Sequence, residues 1–194
     1  METAEDQVLT VPNLLSALRL ACVPLFVILL FRGHHRFAAA ALLAVLGATD
    51  WVDGWVARRL GQVSAVGKVL DPTADRVLLA VAVISIGVDG SVPLWLCVAV
   101  AVREAVVSLA VLGLAAAGAR RIDVIWLGKA GTLGLMFAFP LFLVSHSGVG
   151  WHAAAHVLAW LFAVPALVLS WWAAASYVPL AKRALAEGRV RSVP

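Results

Sequence analysis

The sequence predicts an all-α membrane protein with six transmembrane helices and a metal site that faces the cytoplasm. Hydrophobic residues make up 63% of the 194 residues, whereas soluble domains are nearer half apolar. They fall in blocks whose lengths approach the roughly 20 residues that a helix needs to cross a bilayer. Four of the eleven acidic residues are gathered in one short segment. Ionisable residues at membrane depth usually mark a functional cavity.

Six spans follow one another along the chain, divided by glycines and polar residues. The third has a short apolar core, so its helix is expected to begin earlier, with polar residues at its cytoplasmic end. Around the spans we expect a juxtamembrane segment at 1–13, one six-helix domain at 14–181 and a basic tail at 182–194 that touches anionic lipid. The predicted spans are 14–31, 37–57, 73–88, 92–117, 125–145 and 153–178.

Basic residues set the predicted orientation. They cluster at the second and fourth connections and after the last span, so a cytoplasmic N-terminus places all three groups inside, together with the C-terminus. Arg32 and Arg36 fall outside. The net charge of +4 is attributed to this orientation, and no nucleic-acid partner is expected. The acidic start of the chain lacks the features of a signal peptide, so the whole chain is expected to remain. The three groups contain Arg58, Arg59 and Lys68; Arg120 and Arg121; and Lys182, Arg183, Arg189 and Arg191.

The four clustered acidic residues form two pairs at helical spacing. Asp50 and Asp53 are three residues apart, and Asp71 and Asp75 are four apart, so each pair shares one helix face. The short glycine-bounded connection at 61–67 predicts that the two helices are antiparallel neighbours. Their inner ends can then direct four carboxylates to one point.

Four ionised carboxylates in one cavity need neutralisation, because like charges raise each other's pKa values. Two divalent cations would supply it, and ligands that are all oxygen favour Mg²⁺ or Mn²⁺. The alternative is salt bridging to Arg58, Arg59, Lys68 and Arg76, which leaves the small residues Gly54 and Ala57 unexplained. Small residues leave room for a ligand, and Arg58 can clamp a phosphate. The set favours phosphoryl-type transfer assisted by two metal ions, with one aspartate as proton acceptor.

The segment from Asp50 to Asp75 reads DWVDGWVARRLGQVSAVGKVLDPTAD. It resembles the signature of the CDP-alcohol phosphatidyltransferase family, D-x2-D-G-x2-A-R-x8-G-x3-D-x3-D, and fills every fixed position. The resemblance implies a bacterial cell-membrane enzyme that transfers the phosphatidyl group of CDP-diacylglycerol to an alcohol and releases CMP, and that forms homodimers. It further implies roles for eight residues: metal ligands Asp50, Asp53, Asp71 and Asp75, with Asp75 also the general base, and a CDP-lipid site of Gly54, Ala57, Arg58 and Gly67.

Three basic residues are predicted to contact the acceptor alcohol. Arg19 lies in the first span, within a stretch that resembles the glycerophosphate and cardiolipin branches of the family, and its alternative is snorkelling or pairing with an aspartate. Arg103 lies in mid-span; a pair with Glu104 is the alternative, which the different faces of adjacent residues disfavour. Lys129 lies at the cytoplasmic end of the fifth span.

The sequence around Lys129 bears on which alcohol is used. The glycerophosphate enzymes tend to carry Gly-Lys-x-Lys-Thr there, and this chain has Gly131 in place of the second lysine. One cation fewer suits the single charge of phosphatidylglycerol better than the phosphomonoester of glycerol 3-phosphate. The surrounding stretch also resembles the actinobacterial cardiolipin synthase branch. We therefore expect phosphatidylglycerol as acceptor, with glycerol 3-phosphate second and an inositol phosphate third.

A small cation transporter is the alternative from another functional class. Transport predicts carboxylates spread through several spans near mid-depth. Here they lie at one end of two neighbouring helices beside an arginine, which favours an enzyme. The histidines, of which His152 and His156 have the four-residue spacing of a helical metal pair, are interpreted as polar residues of the outer interface.

Overall fold

The protein is described here by a computed structural model that covers the backbone of residues 11–60, 67–116 and 126–191. Side chains are described for 13–49, 74, 76–110, 112–113 and 126–176. The described chain forms six helices, each of which corresponds to one predicted span. They are α1 (Val11–Phe31), α2 (Arg36–Leu60), α3 (Gly67–Asp89), α4 (Leu94–Ala116), α5 (Trp126–Ser145) and α6 (His152–Arg191).

Two helices extend well beyond the apolar blocks. Helix α3 begins at Gly67, six residues before the predicted span at 73–88, so the polar segment ahead of the apolar core is helical as expected. Helix α6 has 40 residues and continues to Arg191, so most of the predicted basic tail continues the last helix. Length and apolarity qualify three helices of the described part as able to cross a membrane: Asn13–Phe31, Trp126–Ser145 and His152–Ser176.

The helices contact one another in a closed order. Helix α1 packs against α2 and α3, α5 packs against α2 and α6, and α4 packs against α3 and α6. The core runs through the middle of this arrangement and is built around Phe26, Leu30, Ile86, Leu96 and Phe142, all nearly or fully inaccessible. Large apolar side chains also cover the outside, where Val88, Leu109 and Trp126 are 72%, 69% and 76% exposed. An apolar exterior around a packed core is what a lipid environment requires.

Helices α2 and α3 run antiparallel, as the short connection predicted. Arg36, the first residue of α2, pairs with Asp89, the last residue of α3, through two hydrogen bonds of 3.0 and 3.1 Å. Ser91 donates a third hydrogen bond to the same carboxylate. This bidentate pair marks the end of the two helices that lies opposite the aspartates.

Small residues bring α5 and α6 close together. A Cβ atom on Gly131 would lie 2.9 Å from both the carbonyl oxygen of Ala166 and the amide nitrogen of Ser170, and one on Gly134 would lie 2.6 Å from the Cβ of Ala166. The glycines recur every three residues on α5. Backbones of membrane helices approach closely where such small residues face each other.

Candidate active site

A cavity of about 230 Å³ lies among five helices, toward the end of the molecule that carries the aspartates. Apolar side chains supply most of its wall. Four charged residues interrupt that wall. One lies on α1, one on α3, and two are adjacent residues of α4. The lining consists of Arg19, Leu43, Leu46, Gly47, Arg76, Leu78, Leu79, Ala82, Arg103, Glu104, Thr132, Met136 and Phe139.

Three of the four charged residues in the described lining are arginines. Arg19 and Arg103 are 2% and 7% exposed, and Arg76 and Glu104 also line the space. Buried arginines in an apolar wall are costly unless they meet an opposite charge. An anionic group such as a phosphate is one partner that suits arginines in this position.

Arg103 is held by contacts from two helices. Its Nη1 donates to Oε1 of Glu104, the next residue on α4, and its Nε donates to the carbonyl oxygen of Ser170 on α6 at 3.5 Å. The Nη2 atom lies beside Gly128, 3.6 Å from where a Cβ would be. The spacing argument disfavoured a pair with Glu104 because adjacent residues point apart. Both side chains are long enough to meet, and the structure contains the pair.

Helix α1 presents a polar face inward at its N-terminal half. Asn13, Ser16 and Arg19 are all buried and are spaced at three residues, and Val23 and Phe26 continue the same face. This spacing places the polar half of the face at the level of the cavity and the apolar half at the level of the core.

The structure brings two of the three predicted acceptor contacts to the cavity. Arg19 and Arg103 line it, whereas Lys129 is exposed at the start of α5 and is not among the lining residues. Thr132, one turn further, does line it, and its hydroxyl donates to the carbonyl of Gly128 at 3.0 Å. Thr132 was not predicted from the sequence, because only cations were considered as acceptor contacts. Its position three residues after Lys129 was the signal that could have found it.

The interpretation of Gly131 needs correction. From the sequence, this position was expected to be one where a lysine could meet the acceptor. The structure turns it toward α6, where even a Cβ would meet backbone atoms of Ala166 and Ser170 at 2.9 Å. A glycine here serves helix packing, and the nearby cavity position is Thr132.

The predicted metal and nucleotide residues lie on helices whose side chains at these positions are outside the described part of the chain. The backbone places Asp50, Asp53, Gly54, Ala57 and Arg58 in α2, and Gly67, Asp71 and Asp75 in α3. Where side chains are described, no group of three or more His, Cys, Asp or Glu residues could hold a metal ion. The four-aspartate site therefore stays a prediction.

The opposite end of the molecule holds a separate polar group. Burial would raise the pKa of Asp89, but hydrogen bonds from Arg36 and Ser91 and the charges of Arg36 and His146 lower it below its usual value. His156 accepts a hydrogen bond from Nε1 of Trp160 at 3.2 Å, and its ring lies 6.4 Å from that of His146. These residues are far along the helices from the cavity, and the interpretation of the histidines as interfacial side chains is unchanged.

Comparison with known proteins identifies the family. The CDP-alcohol phosphatidyltransferase family pattern matches residues 9–176. The chain is 41% identical over 184 residues to the cardiolipin synthase (CMP-forming) of Streptomyces coelicolor, covering 92% of this chain and 85% of that protein. It is 35% identical over 176 residues to a probable phosphatidylglycerophosphate synthase of Mycobacterium tuberculosis, covering 88% and 81%.

A third relative is more distant. The chain is 31% identical over 189 residues to the CDP-diacylglycerol–glycerol-3-phosphate 3-phosphatidyltransferase of Escherichia coli, covering 91% of this chain and 97% of that protein. All three comparisons extend over most of both chains. The resemblance stated from the signature residues alone is confirmed by matches that include the helices outside the signature.

Proposed function

Because this chain belongs to the CDP-alcohol phosphatidyltransferase family, we propose that it joins the phosphatidyl group of CDP-diacylglycerol to phosphatidylglycerol, forming cardiolipin and releasing CMP. The chain is a transferase of phospholipid synthesis that uses CDP-diacylglycerol. The cation-transporter alternative is set aside, since the family consists of enzymes. The acceptor, the metal ions and the residue roles are the proposed part.

The register of α2 and α3 is the observation that carries the site. In the Arg36–Asp89 pair, the first residue of α2 meets the last residue of α3. Fourteen residues separate 36 from 50, and fourteen separate 75 from 89, so positions 50 and 75 fall at the same height, about 21 Å from the ion pair at 1.5 Å per residue. Positions 53 and 71 are seventeen and eighteen residues away and form a second matched level.

The helix faces on which these positions lie also support the site. Leu46 and Gly47 line the cavity on α2, and steps of three and four residues lead from them to position 50 and on to 53. On α3, Leu78 and Leu79 line the cavity, and the same steps backward lead to 75 and then to 71. Positions 50, 53, 71 and 75 thus follow, at helical spacing, the positions that line the cavity. This arrangement supports a site for two Mg²⁺ or Mn²⁺ ions at the end of the cavity.

In the proposed reaction, the acceptor hydroxyl attacks the phosphorus that bears diacylglycerol. A new phosphorus–oxygen bond forms, the pyrophosphate bond to CMP breaks, and Asp75 takes the hydroxyl proton. Bound divalent ions would stabilise the attacking and leaving oxygens. Arg58 would hold the pyrophosphate, while Gly54, Ala57 and Gly67 leave room for the nucleotide.

Phosphatidylglycerol is favoured as acceptor because the arginines lie in a largely apolar cavity within the helical layer. Arg103 is the tenth of 23 residues in α4, well inside the helix. A lipid phosphodiester can reach such a depth while its acyl chains stay in the bilayer. The cardiolipin synthase named above, with 41% identity, points to the same acceptor.

Phosphatidylglycerophosphate synthesis from glycerol 3-phosphate is the second candidate. Three arginines in one cavity would also suit a phosphomonoester of nearly two charges, and two of the relatives carry names of that activity. In either case we propose six transmembrane spans in a bacterial cell membrane, with both termini and the active site cytoplasmic. We also propose a homodimer, as the family resemblance implies.

An acceptor screen tests the proposal. Purified protein is given CDP-diacylglycerol, Mg²⁺ or Mn²⁺, and in turn phosphatidylglycerol, glycerol 3-phosphate and an inositol phosphate; the lipid product is identified by mass. We expect cardiolipin and CMP only with the first acceptor, and no product with a chelator or with Asp75→Asn. If phosphatidylglycerophosphate is the main product, the acceptor is glycerol 3-phosphate and not phosphatidylglycerol. Full activity in chelator would refute the metal site.

A further inference from the structure

We propose that Glu104 is a positioning residue, which holds the guanidinium of Arg103 in the orientation that receives the acceptor phosphate. The inference rests on the proposed function, in which that phosphate enters the cavity. It concerns a residue whose charge is opposite to that of an acceptor-binding group. A negative side chain beside an anion-binding site needs a physical reason.

The contacts of Arg103 supply that reason. A guanidinium has five N–H donors in a rigid planar fork. In this structure Nη1 is bound by Glu104 and Nε by the carbonyl of Ser170, so one edge of the plane is fixed from α4 and another from α6. The remaining nitrogen, Nη2, lies beside Gly128 of α5. The group therefore lies where three helices meet.

The Arg103–Glu104 pair is largely buried, so it differs from a surface ion pair that contributes little. The Arg103 side chain is 9% exposed and that of Glu104 is 30% exposed, and both line the cavity. A free arginine side chain loses rotamer entropy when a ligand fixes it. If Glu104 and Ser170 have already fixed it, the ligand does not incur that cost.

A second role for Glu104 would predict the opposite result. If the carboxylate only neutralised Arg103 to allow burial, removing it would leave more positive charge in the cavity and would tighten binding of an anionic acceptor. If the carboxylate positions Arg103, removing it loosens the guanidinium and weakens binding. The direction of the change in acceptor KM thus separates the two roles.

The test compares Glu104→Ala, which removes the hydrogen-bond acceptor, with Glu104→Gln, which removes the charge but keeps an oxygen that can accept. Reconstituted enzyme is assayed for CMP release with either substrate varied. We expect Glu104→Ala to raise the KM for phosphatidylglycerol roughly tenfold and to leave the KM for CDP-diacylglycerol unchanged. Glu104→Gln should raise this KM much less, because its side-chain oxygen can still accept the hydrogen bond from Arg103.

Asp89→Ala is the matched control, because it also removes a carboxylate paired with an arginine but lies at the other end of α3. It should leave both KM values unchanged. In an Arg103→Gln background, Glu104→Ala should have no further effect on the acceptor KM, since the residue it positions is gone.

Each other outcome overturns the proposal. A lower acceptor KM in Glu104→Ala would mean that Glu104 only neutralises Arg103. Equal changes in KM for both substrates, or loss of folded protein, would mean that Glu104 has a structural role. If Arg103→Gln raises the acceptor KM and Glu104→Ala does not, only the positioning role fails. If Arg103→Gln leaves the acceptor KM unchanged, the proposed acceptor site fails with it, whereas the acceptor screen still reports the reaction itself.

Discussion

Single buried polar side chains give the cavity its chemistry. Arg19 and Arg103 are almost inaccessible and bring charge into a wall that is otherwise apolar. Because arginine side chains are long, their position in the cavity depends on contacts that sequence spacing does not reveal. Both were identified from the sequence, because an arginine inside an apolar block is costly and calls for a function. The contacts of Arg103 were not, because its pair with Glu104 was disfavoured by the spacing and Ser170 lies on a distant helix.

Thr132 is the position at which the effect of cavity charge on the choice of acceptor can be tested. It lines the cavity beside the arginines, unlike Gly131, which faces α6. We expect Thr132→Lys to raise kcat/KM for glycerol 3-phosphate relative to phosphatidylglycerol by about fivefold, the effect of about 1 kcal/mol from one added charge. The ratio is measured by product mass with both acceptors present. Thr132→Gln, of similar size and no charge, should leave the ratio unchanged, and an equal shift in both variants would contradict the charge argument.

At the scale of helices, packing between α5 and α6 depends on residues without bulk. Gly131 and Gly134 face Ala166 and Ser170 at distances that leave no space for a side chain. The carbonyl of Ser170, which accepts from Arg103, belongs to this same contact. The close approach of α5 to α6 therefore also sets where the guanidinium lies.

Gly131→Ala should destabilise the protein, because its Cβ would meet backbone atoms at 2.9 Å and backbone cannot move aside easily. We expect a loss of about 1–3 kcal/mol, measured as a lower melting temperature in detergent. Gly113 provides the control, since it lies in α4 with nothing near its Cβ position. Gly113→Ala should be neutral or stabilising by up to about 1 kcal/mol. Equal melting temperatures for the two variants would contradict the packing argument.

The Arg36–Asp89 pair should stabilise the protein only where Asp89 is ionised. The pKa of Asp89 is lowered in the folded protein, so the stabilisation is present above the ordinary pKa of about 4 and is lost as the pH falls through the lower folded value. Asp89→Asn should therefore cost about 1 kcal/mol at pH 7, with the difference from wild type vanishing in strong acid. Melting temperatures of both proteins across this pH range measure it. A difference that is constant with pH would exclude the ion pair as its source.

At the scale of the molecule, six apolar blocks sufficed to predict six helices, because a membrane leaves helices as the simplest way to satisfy the backbone. The order in which the helices contact one another was not predictable. The short connection predicted the antiparallel direction of α2 and α3, but among the described residues both helices pack on α1. Packing of α5 on α6 was also missed. The glycine repeat was visible in the sequence, but a glycine on a helix face does not say which partner it approaches.

The arrangement predicts opposite sides of the membrane for the two ends of the molecule. The connection containing His34 and the connection containing Gly148 lie at the end marked by the Arg36–Asp89 pair, away from the aspartates. In a background of Cys22→Ala and Cys97→Ser, cysteines at His34 and Gly148 should react with a membrane-impermeant maleimide added to intact cells, because both positions are in surface turns. Cysteines at Ser64 and Ser192 should react only after the cells are opened, as the positive-inside rule requires. Labelling of Ser64 in intact cells would place the carboxylates outside, where cytoplasmic CDP-diacylglycerol and CMP could not serve the reaction.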